Sequence, residues 1–564
     1  MDSENIINGP PAPLFKNPKQ PLGEFLLERL GRHGNAVALV DAATGNKRTF
    51  DEIRILSLKL AESMRYGKPE TNNCHLAMGD SIAVCSENTI NYIIPVLASL
   101  SLGASVAPIN PAFTREELVH TLLISKPKII FASKSTLKNM LEVAKDLEFV
   151  KLVVLMDQNG PEEMSPQPIN GLVKSIFDLI NAKKFVPSIP IEKDFPRVDT
   201  SENVALIMSS SGTTGLPKGV MLTHLNICTY LNLVEYIKSM EPAETHRTCL
   251  ALLPFFHAYG LLGIFQTLTL GHKAVVMHAF KPDAFLKAIE EYRISRLALV
   301  PPLAVFLSKD PRVEKYDLSS VEEVVCGAAP LSKDTENKVV EIINRHRSRV
   351  GAPPCIFRQG YGLTEVTLGV AITPLEGKKL GSVGVLLPGF QCKVADLDTG
   401  KALGPNKAGE LCFRGAMLMK GYKGNSDATV SIIDEDGWLH SGDIGYYDDD
   451  KHLFVVDRIK ELIKYKAFQV APAELEALLL KHPGIKDAAV IGIPDEVAGE
   501  VPRAYVVKEK GSKLSQGDII SYIGKHVSSH KQLRGGVQFV DSIPKTASGK
   551  ILRREFRTKV LSKL

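Results

Sequence analysis

One loop of the chain concentrates groups that could bind phosphate. The segment SSSGTTGLPKG, residues Ser209 to Gly219, follows the apolar run Val204 to Met208 and combines hydroxyl groups, glycines and a lysine. Exposed backbone N–H groups, hydroxyl donors and one cation suit the oxygens of a triphosphate. The loop is not a Walker A sequence, because Pro217 precedes Lys218 and Gly219 follows it. The alternative is a flexible Ser/Gly linker, but linkers seldom follow a buried strand or carry Pro and Lys in this order.

The elements that must position this loop follow from the hydrophobic pattern. Short apolar runs recur through the first 450 residues, separated by segments long enough for helices, such as Pro282 to Tyr292. This alternation predicts an α/β domain with helix-covered, largely parallel sheets. Residues 159–203 are rich in proline and lysine, which indicates a surface connection between two subdomains. Beyond Val456, two helical segments (Pro472 to Leu480 and a stripe from Ile519 to Val527) and three strand-like runs predict a small α+β domain of about 100 residues.

Composition excludes several other classes of protein. A chain of 564 residues is too long for one hydrophobic core of usual size, and a net charge of +5 is too small to indicate a polyanion-binding surface. The eight cysteines are scattered without a CxxC pair, which favours reduced core thiols over metal ligands. Pro95 and Gly103 interrupt the longest apolar run, Tyr92 to Ile109, so a buried helix leading into a strand is expected rather than a membrane span. The N-terminal residues lack a signal-peptide pattern.

Four further motifs accompany the loop in a fixed order. They are YGLTE (Tyr361 to Glu365), HSGDIGYYDDD (His440 to Asp450), VDRIKELIKYKAFQVAPAELE (Val456 to Glu476) and PKTASGKILRRE (Pro544 to Glu555). Together the five motifs resemble those of the adenylate-forming enzymes, which include acyl-CoA synthetases, 4-coumarate:CoA ligases and beetle luciferases. The resemblance runs from about Pro21 to Arg557, and the segments Cys326 to Lys333 and Lys531 to Val540 look closer to the insect luciferase-like branch than to the plant ligases.

The resemblance implies a two-step reaction. A carboxylate attacks the α-phosphorus of ATP to form an acyl-adenylate, and the thiol of coenzyme A then displaces AMP. It implies an N-terminal adenylation domain (1–457), a hinge (458–460) and a mobile C-terminal domain (461–561), with ATP, Mg²⁺ and coenzyme A as ligands. The expected substrate is a fatty or aryl-propenoic acid. Two alternatives stay open: a luciferase, and a homologue that binds nucleotide or acyl groups without catalysis.

The resemblance also assigns residues to the ATP site. Lys550 would bridge the carboxylate and the α-phosphate, Thr364 would contact that phosphate, and Glu365 would ligate magnesium, which prefers few carboxylates together with phosphate oxygens. Asp443 would bind the ribose hydroxyls, with Arg458 nearby. The remaining nucleotide contacts come from the phosphate loop and the adenine wall: Ser209, Ser210, Ser211, Gly212, Thr213, Thr214, Gly215, Lys218, Gly327, Ala328, Ala329, Gln359, Gly360, Tyr361 and Gly362.

The acyl and coenzyme A sites are assigned in the same way. His257 would close the carboxylate side of an acyl pocket whose other candidates are Phe256, Tyr259, Gly263, Leu303, Leu363, Leu368 and Val370. Beetle luciferases carry a small hydroxyl residue where Leu368 stands and usually a second histidine where Phe256 stands, and both differences favour an apolar acid over a luciferin. Catalytic Lys464 would bind coenzyme A together with Tyr465, Lys466 and Ala467. Ala467 departs from the glycine common in relatives, which would reshape coenzyme A binding if that glycine needs a positive φ.

The last three residues, Ser562, Lys563 and Leu564, match the peroxisomal address that an import receptor reads on a free C-terminus. The expected partners are therefore a small carboxylic acid and this receptor, with no nucleic acid and no membrane span.

Overall fold

The structure is a computed structural model that describes residues 5–12, 20–66, 75–156, 173–181, 195–210, 217–240, 247–466, 468–546 and 549–561. Five predicted phosphate-loop residues (Ser211 to Gly215), Ala467 and the C-terminal tripeptide lie outside the described residues.

Within the described residues, the helices are α1 (Leu22–Gly31), α2 (Phe50–Arg65), α3 (Ile93–Ser101), α4 (Arg115–Ser125), α5 (Leu137–Ala144), α6 (Ile176–Asn181), α7 (His224–Met240), α8 (Ala258–Thr269), α9 (Pro282–Glu291), α10 (Pro301–Lys309), α11 (Lys333–Arg349), α12 (Ser426–Val430), α13 (Pro472–Lys481), α14 (Gln516–Gly524) and α15 (Arg553–Leu561).

The strands are β1 (Ile6–Asn8), β2 (Val37–Asp41), β3 (Lys47–Thr49), β4 (Ser81–Cys85), β5 (Ser105–Ile109), β6 (Ile129–Ala132), β7 (Leu152–Leu155), β8 (Val173–Ser175), β9 (Val204–Ser210), β10 (Lys218–Thr223), β11 (Thr248–Ala251), β12 (Lys273–Val276), β13 (Arg296–Leu299), β14 (Glu323–Cys326), β15 (Ile356–Tyr361), β16 (Ala371–Ile372), β17 (Val385–Leu386), β18 (Phe390–Ala395), β19 (Gly409–Gly415), β20 (Gly421–Tyr422), β21 (Leu439–Tyr447), β22 (Leu453–Arg458), β23 (Ile463–Tyr465), β24 (Phe468–Val470), β25 (Ile485–Asp495), β26 (Gly499–Lys508) and β27 (Val537–Phe539).

Two large sheets form the body of the N-terminal part. One has the order β20-β10-β9-β5-β4-β6-β7-β8 and the other the order β17-β16-β15-β14-β13-β11-β12-β2-β3. In the second sheet, β2 and β11 to β15 run parallel, so their carboxyl ends meet at one edge. The largest hydrophobic cluster joins residues of both sheets with α1, α3, α7 and α8. Burial of this shared apolar surface fixes the two sheets against each other.

Two smaller sheets complete the chain. The antiparallel sheet β1-β18-β19-β21-β22 carries the HSGDIGYYDDD segment on β21. The C-terminal sheet β24-β23-β26-β25, with β27 beside β26, packs against α13 and α14 around its own apolar cluster. The α/β class with a large N-terminal part and a small α+β C-terminal part is therefore confirmed.

Most details of the sequence prediction agree with the structure, with one exception. The apolar run from Tyr92 forms α3 and β5 as expected, and none of the described helices is both long and apolar enough to cross a bilayer. The seven described cysteines are free and buried. The prediction that residues 159–203 are only a surface connection was wrong for 173–181. There β8 pairs with β7, and the side chains of Ile176, Leu179 and Ile180 on α6 are buried, because this short stretch carries an apolar face.

Candidate active site

A cavity of about 250 Å³ lies between α7, α8 and the second large sheet, and Lys550 of the C-terminal part contributes to its wall. Besides Lys550, six residues predicted for the nucleotide line it: Gly327, Ala328, Gly360, Tyr361, Gly362 and Thr364. From the predicted acyl pocket, His257, Tyr259, Gly263, Leu363 and Leu368 line it as well. The six nucleotide residues lie at or just past the carboxyl ends of β14 and β15, where ligands bind in open α/β sheets.

A tight turn delivers Lys550 to this cavity. Lys545 and Ile551 form an isolated β-bridge, and Thr546 accepts a hydrogen bond from the Lys550 amide at 3.1 Å. Gly549 has φ +81° and lies against Pro302 of α10, where an added Cβ would come within 2.9 Å of the ring. Glycine is needed here because both the left-handed backbone and the close approach disfavour a side chain.

The Lys550 ammonium lies among charged groups. Burial and the nearby Arg458 lower the pKa of Lys550 to about 8, against the opposing influence of Asp443 and Glu365. These four groups come from the C-terminal part, β22, β21 and the loop after β15, so the folded chain converges them on one point. Burial, and to a smaller extent the positive charge of Lys550, lowers the pKa of His257 to about 4. The imidazole is therefore neutral.

Asp443 is a buried carboxylate held from two sides. Its Oδ2 accepts a hydrogen bond from the Tyr361 hydroxyl at 2.7 Å, and its Oδ1 lies 3.4 Å from Arg458 Nε. Burial raises the pKa of Asp443, whereas Arg458 and Tyr361 oppose that shift. The contact with Tyr361 joins the predicted ribose ligand to the predicted adenine wall.

Glu365 sits in the 3₁₀ turn Thr364–Val366. Its Oε1 accepts a hydrogen bond from the Tyr422 hydroxyl at 2.9 Å, and Lys218 Nζ lies 4.8 Å from the centre of the Tyr422 ring. The carboxylate offers further lone pairs toward a cation, so the donor set fits one Mg²⁺ ligand with phosphate oxygens supplying others. Ser209, Ser210 and Lys218 are the described ends of the predicted phosphate loop, where β9 pairs with β10.

The adenine-wall residues differ in how they meet the cavity. A Cβ on Gly362 would lie 1.8 Å from the Leu368 carbonyl oxygen, so only glycine fits there, and Ala328 has a positive φ of +76°. Gln359 is turned the other way along β15, because its amide donates to Glu336 of α11 at 2.6 Å. Neither Gln359 nor Ala329 is among the described residues that line the cavity.

The acyl side of the cavity requires corrections. Tyr259 donates its hydroxyl to the Val325 carbonyl at 3.1 Å and, with His257, Gly263, Leu363 and Leu368, lines the cavity as predicted. Phe256 does not line it in the described part of the chain, since the turn before α8 presents Phe255 and His257 instead. Leu303 and Val370 were also misplaced, because both are buried in hydrophobic clusters rather than on the cavity wall.

The predicted coenzyme A residues lie apart from the cavity. Lys464 and Tyr465 end β23 of the C-terminal sheet and Lys466 follows it. The Lys464 and Lys466 side chains are exposed. The Lys464 amide donates to Glu500 at 2.9 Å, and Lys466 has φ +52°. In this arrangement Lys550 faces the cavity and Lys464 does not.

A charged group at the deep end of the cavity was not anticipated. Arg247, Arg296, Glu323 and Arg358 all line it, and Glu323 contacts Arg247 at 2.6 Å and Arg296 at 3.2 Å. The signal in the sequence was Arg296 at the start of the otherwise apolar strand β13. An arginine at such a position is typical of a strand end at the protein surface, so it did not indicate a cavity residue.

Comparisons with known proteins identify the family. A family described as AMP-binding enzyme matches residues 26–423, and its C-terminal domain matches residues 474–550. This chain is an AMP-binding enzyme. It is 42% identical to luciferin 4-monooxygenase of Photuris pensylvanica, over 99% of this chain and 98% of that protein. It is also 36% identical to 4-coumarate–CoA ligase 1 of Petroselinum crispum, over the same shares of the two chains.

Solved structures agree with this membership. ATP-bound MatB from Rhodopseudomonas palustris superposes with a TM-score of 0.79 at 25% identity, covering 95% of this chain and 98% of MatB. The apo form of the same protein superposes with a TM-score of 0.69. The chain of this AMP-binding enzyme therefore superposes better on the ATP-bound form of MatB than on its apo form.

Proposed function

We propose that this AMP-binding enzyme is an ATP-dependent acyl-CoA ligase that activates a fatty or aryl-propenoic acid. The observation that carries the proposal is the buried Lys550 ammonium, which shares one cavity with the adenine wall and the acyl wall and has Asp443, Glu365 and Arg458 around it. One cation between a nucleotide site and an acid site is what adenylation requires, because two anions must approach each other.

The first step needs positioning and charge stabilisation rather than a protein nucleophile. The acid's carboxylate oxygen attacks the α-phosphorus of ATP and pyrophosphate leaves. Lys550 stabilises the charge that both reactants bring together, Thr364 contacts the α-phosphate, and Asp443 orients the ribose. Glu365 would hold Mg²⁺, which would neutralise phosphate charge. Neutral His257 borders the acid without adding a second cation.

The second step uses the same cavity. The thiol of coenzyme A attacks the acyl carbonyl, the thioester bond forms, and AMP leaves with the electron pair of the broken mixed-anhydride bond. Rotation about residues 458–460 would withdraw Lys550 and bring Lys464, Tyr465 and Lys466 toward the cavity. The exposure of Lys464 and the better superposition on an ATP-bound relative support the assignment of the present arrangement to the first step.

A luciferase is the second candidate, because the luciferin 4-monooxygenases are more similar in sequence than the 4-coumarate–CoA ligases. Its reaction would share adenylation and then use oxygen in place of coenzyme A. The bulky Leu368 side chain on the cavity wall favours the ligase.

The deciding experiment measures AMP release from purified protein with ATP and Mg²⁺. The acids are medium and long fatty acids, cinnamates and luciferin, each with and without coenzyme A, and light is recorded for luciferin. A ligase gives acid-dependent AMP that rises with coenzyme A. Light from luciferin, with adenylation indifferent to coenzyme A, would favour the luciferase. No AMP from any acid would favour a non-catalytic homologue.

We also propose a peroxisomal location, with the import receptor as partner, from the terminal Ser562-Lys563-Leu564 sequence. Deletion of these three residues is expected to leave AMP release unchanged and to move a fluorescent fusion to the cytosol. The fluorophore must be N-terminal, since the receptor reads a free C-terminus. A peroxisomal signal from the truncated chain would contradict the assignment.

A further inference from the structure

The end of the cavity opposite Lys550 is polar and cationic. Arg296 begins β13 and pairs in register with Glu323, which begins β14. Four residues further along that strand, Gly327 belongs to the nucleotide end of the cavity. At roughly 3.3 Å per strand residue, the two ends are about 13 Å apart. The acid that occupies the cavity therefore meets Lys550 at one end and the Arg296 group at the other.

The Arg296 guanidinium is both held and accessible. The Arg296 Nε lies 3.2 Å from a Glu323 carboxylate oxygen. The two terminal nitrogens of Arg296 donate to the side-chain oxygen of Gln266 at 3.0 and 3.3 Å, in the amide orientation that also lets Gln266 donate to the Tyr230 hydroxyl. These contacts fix the guanidinium plane. The Arg296 side chain nonetheless keeps 21% of its surface accessible, against 9% for Arg247 and Arg358, and Arg296 lines the cavity.

Glu323 is shared among three arginines. It contacts Arg247 at 2.6 Å, Arg296 at 3.2 Å and Arg358 at 3.6 Å. Burial alone would raise the pKa of Glu323, but Arg296, Arg247 and Arg358 lower it, so the carboxylate is ionised. Taking several charged side chains out of water costs free energy, which such a cluster offsets when it serves folding specificity or binds a ligand. The cluster of Glu323 and its three arginines opens onto the substrate cavity.

Between the two ends the wall is apolar. Leu233, Val234 and Ile237 of α7 and Ile264 of α8 face the sheet across the cavity. A Cβ added at Gly263 of α8 would meet no atom within 4 Å, so this glycine leaves open space on the cavity wall. The whole space is polar at both ends and apolar in the middle.

We propose that the acid activated by this enzyme carries a second carboxylate at its far end, and that Arg296 recognises it. The proposal rests on the proposed ligase function and narrows its substrate to dicarboxylic acids of medium length. A guanidinium binds a carboxylate through paired hydrogen bonds, and an apolar chain between the two ends suits the middle of the cavity. Arg296 is thus a specificity residue, while Lys550 acts on the reacting end.

The test compares acids of equal length that differ only at the far end. Octanoate, decanoate and dodecanoate are assayed beside octanedioate, decanedioate and dodecanedioate, and kcat/KM is measured by AMP release with coenzyme A. The monomethyl ester of decanedioate has the length and a polar end without the charge. The diacid is expected to exceed the monoacid and the half-ester by roughly tenfold or more at its best length.

Substitution of Arg296 separates recognition from folding. Arg296→Met is expected to abolish the diacid preference by a fall in kcat/KM for diacids, while monoacids keep or gain activity. Arg296→Lys should retain part of the preference, because the charge remains. Should Arg296→Met be unstable, Arg296→Gln removes the charge and keeps an amide donor beside Glu323, which still neutralises Arg247 and Arg358. Arg345→Met, at an exposed arginine of α11 paired with Glu314, is the matched control and should change nothing.

Each outcome decides a different claim. Equal activity on monoacids and diacids, or a preference that survives Arg296→Met in a folded protein, would overturn the dicarboxylate assignment and leave the ligase intact. A half-ester as good as the diacid would also overturn it. Absence of AMP from every acid would instead contradict the proposed function.

Discussion

Lys550 is a buried lysine whose protonation state changes near physiological pH. Burial and Arg458 disfavour the ammonium and lower its pKa to about 8, so the free enzyme carries this charge below that pH and loses it above. We expect kcat/KM for ATP in ATP–pyrophosphate exchange to fall as the pH rises through about 8. This parameter reports groups of the free enzyme, whereas bound phosphate would stabilise the charged lysine.

Two variants at this residue check that prediction. A guanidinium stays protonated across the range, so Lys550→Arg is expected to be slower but to lack the alkaline limb. Lys550→Ala should abolish exchange while retaining ATP binding by calorimetry. An alkaline limb that persists unchanged in Lys550→Arg would assign the titration to another group.

At the residue scale, motifs predicted the charged groups well and the side-chain directions poorly. Each of the residues Lys550, Asp443, Glu365 and Arg458 lies in a motif, and the fold brings all four together. Neighbouring residues in a strand or turn point to opposite sides. Gln359 therefore faces α11, and Phe255 rather than Phe256 lines the cavity. Arg296 carried no motif, and only its position at the base of the cavity gives it a role.

At the element scale, the pairing of β19 with β21 holds the bulge beside Asp443. Glu410 of β19 accepts the Gly442 amide hydrogen at 2.9 Å and pairs with His440 Nδ1 at 2.8 Å. Gly442 has φ +69° at a bulge in β21, where the register with β19 shifts, and this amide contact secures the bulge. Hydrogen bonds to the Cys412 thiol and the Glu410 carboxylate raise the pKa of His440 to about 10, so the imidazolium persists at neutral pH.

Loss of the Glu410 carboxylate, which binds the Gly442 amide and His440, should weaken nucleotide binding selectively. Glu410→Ala leaves the half-buried Gly442 amide without its acceptor, which costs about 1 kcal/mol because water can replace part of the lost contact. We expect KM for ATP to rise several-fold while KM for the acid is little changed, because Asp443 alone loses its fixed position. Glu435→Ala, at an exposed site before β21, is the control. Equal changes in both KM values would indicate general loosening of the sheet instead.

Sequence patterns predicted the types of element but not their pairing. Glu410, Cys412 and His440 share no recognisable spacing, yet the antiparallel register of β19 with β21 brings their side chains within 4.8 Å of one another. The α6 segment was missed for a related reason. A stretch of nine described residues, 173–181, is too short for its periodicity to stand out from the proline- and lysine-rich flanks.

At the scale of the whole molecule, the arrangement of the two parts was beyond the sequence. Motifs showed that Lys550 and Lys464 belong to one small domain, but not which of them faces the cavity. That choice depends on contacts across the domain boundary, and the proposed two-step reaction requires those contacts to permit a second orientation. The described structure has Lys550 inward, and specific contacts hold it there.

Two lysines supply part of those contacts. Lys309, the last residue of α10, donates to the carbonyl oxygens of Leu480 and Ile485 at 3.1 and 3.3 Å. Lys481 of α13 pairs with Asp334 of α11 at 2.7 Å. Both exposed contacts join the small domain to the body beside the Gly549–Pro302 approach that seats Lys550. Each is worth up to about 1 kcal/mol, so together they bias the orientation modestly.

The double variant Lys309→Ala with Lys481→Ala should therefore shift the balance between the two half-reactions. A loss of about 1–2 kcal/mol from the Lys550-inward orientation lowers its population and slows adenylation by roughly five- to thirtyfold when that orientation becomes the minor one. Thioester formation from added acyl-adenylate and coenzyme A should be unchanged or faster, because it uses the other orientation. Lys287→Ala on α9, which removes an exposed pair with Glu291, is the control. Equal slowing of both half-reactions would show that these contacts maintain the fold rather than the orientation, whereas opposite changes would establish the domain boundary as the element that orders the two steps.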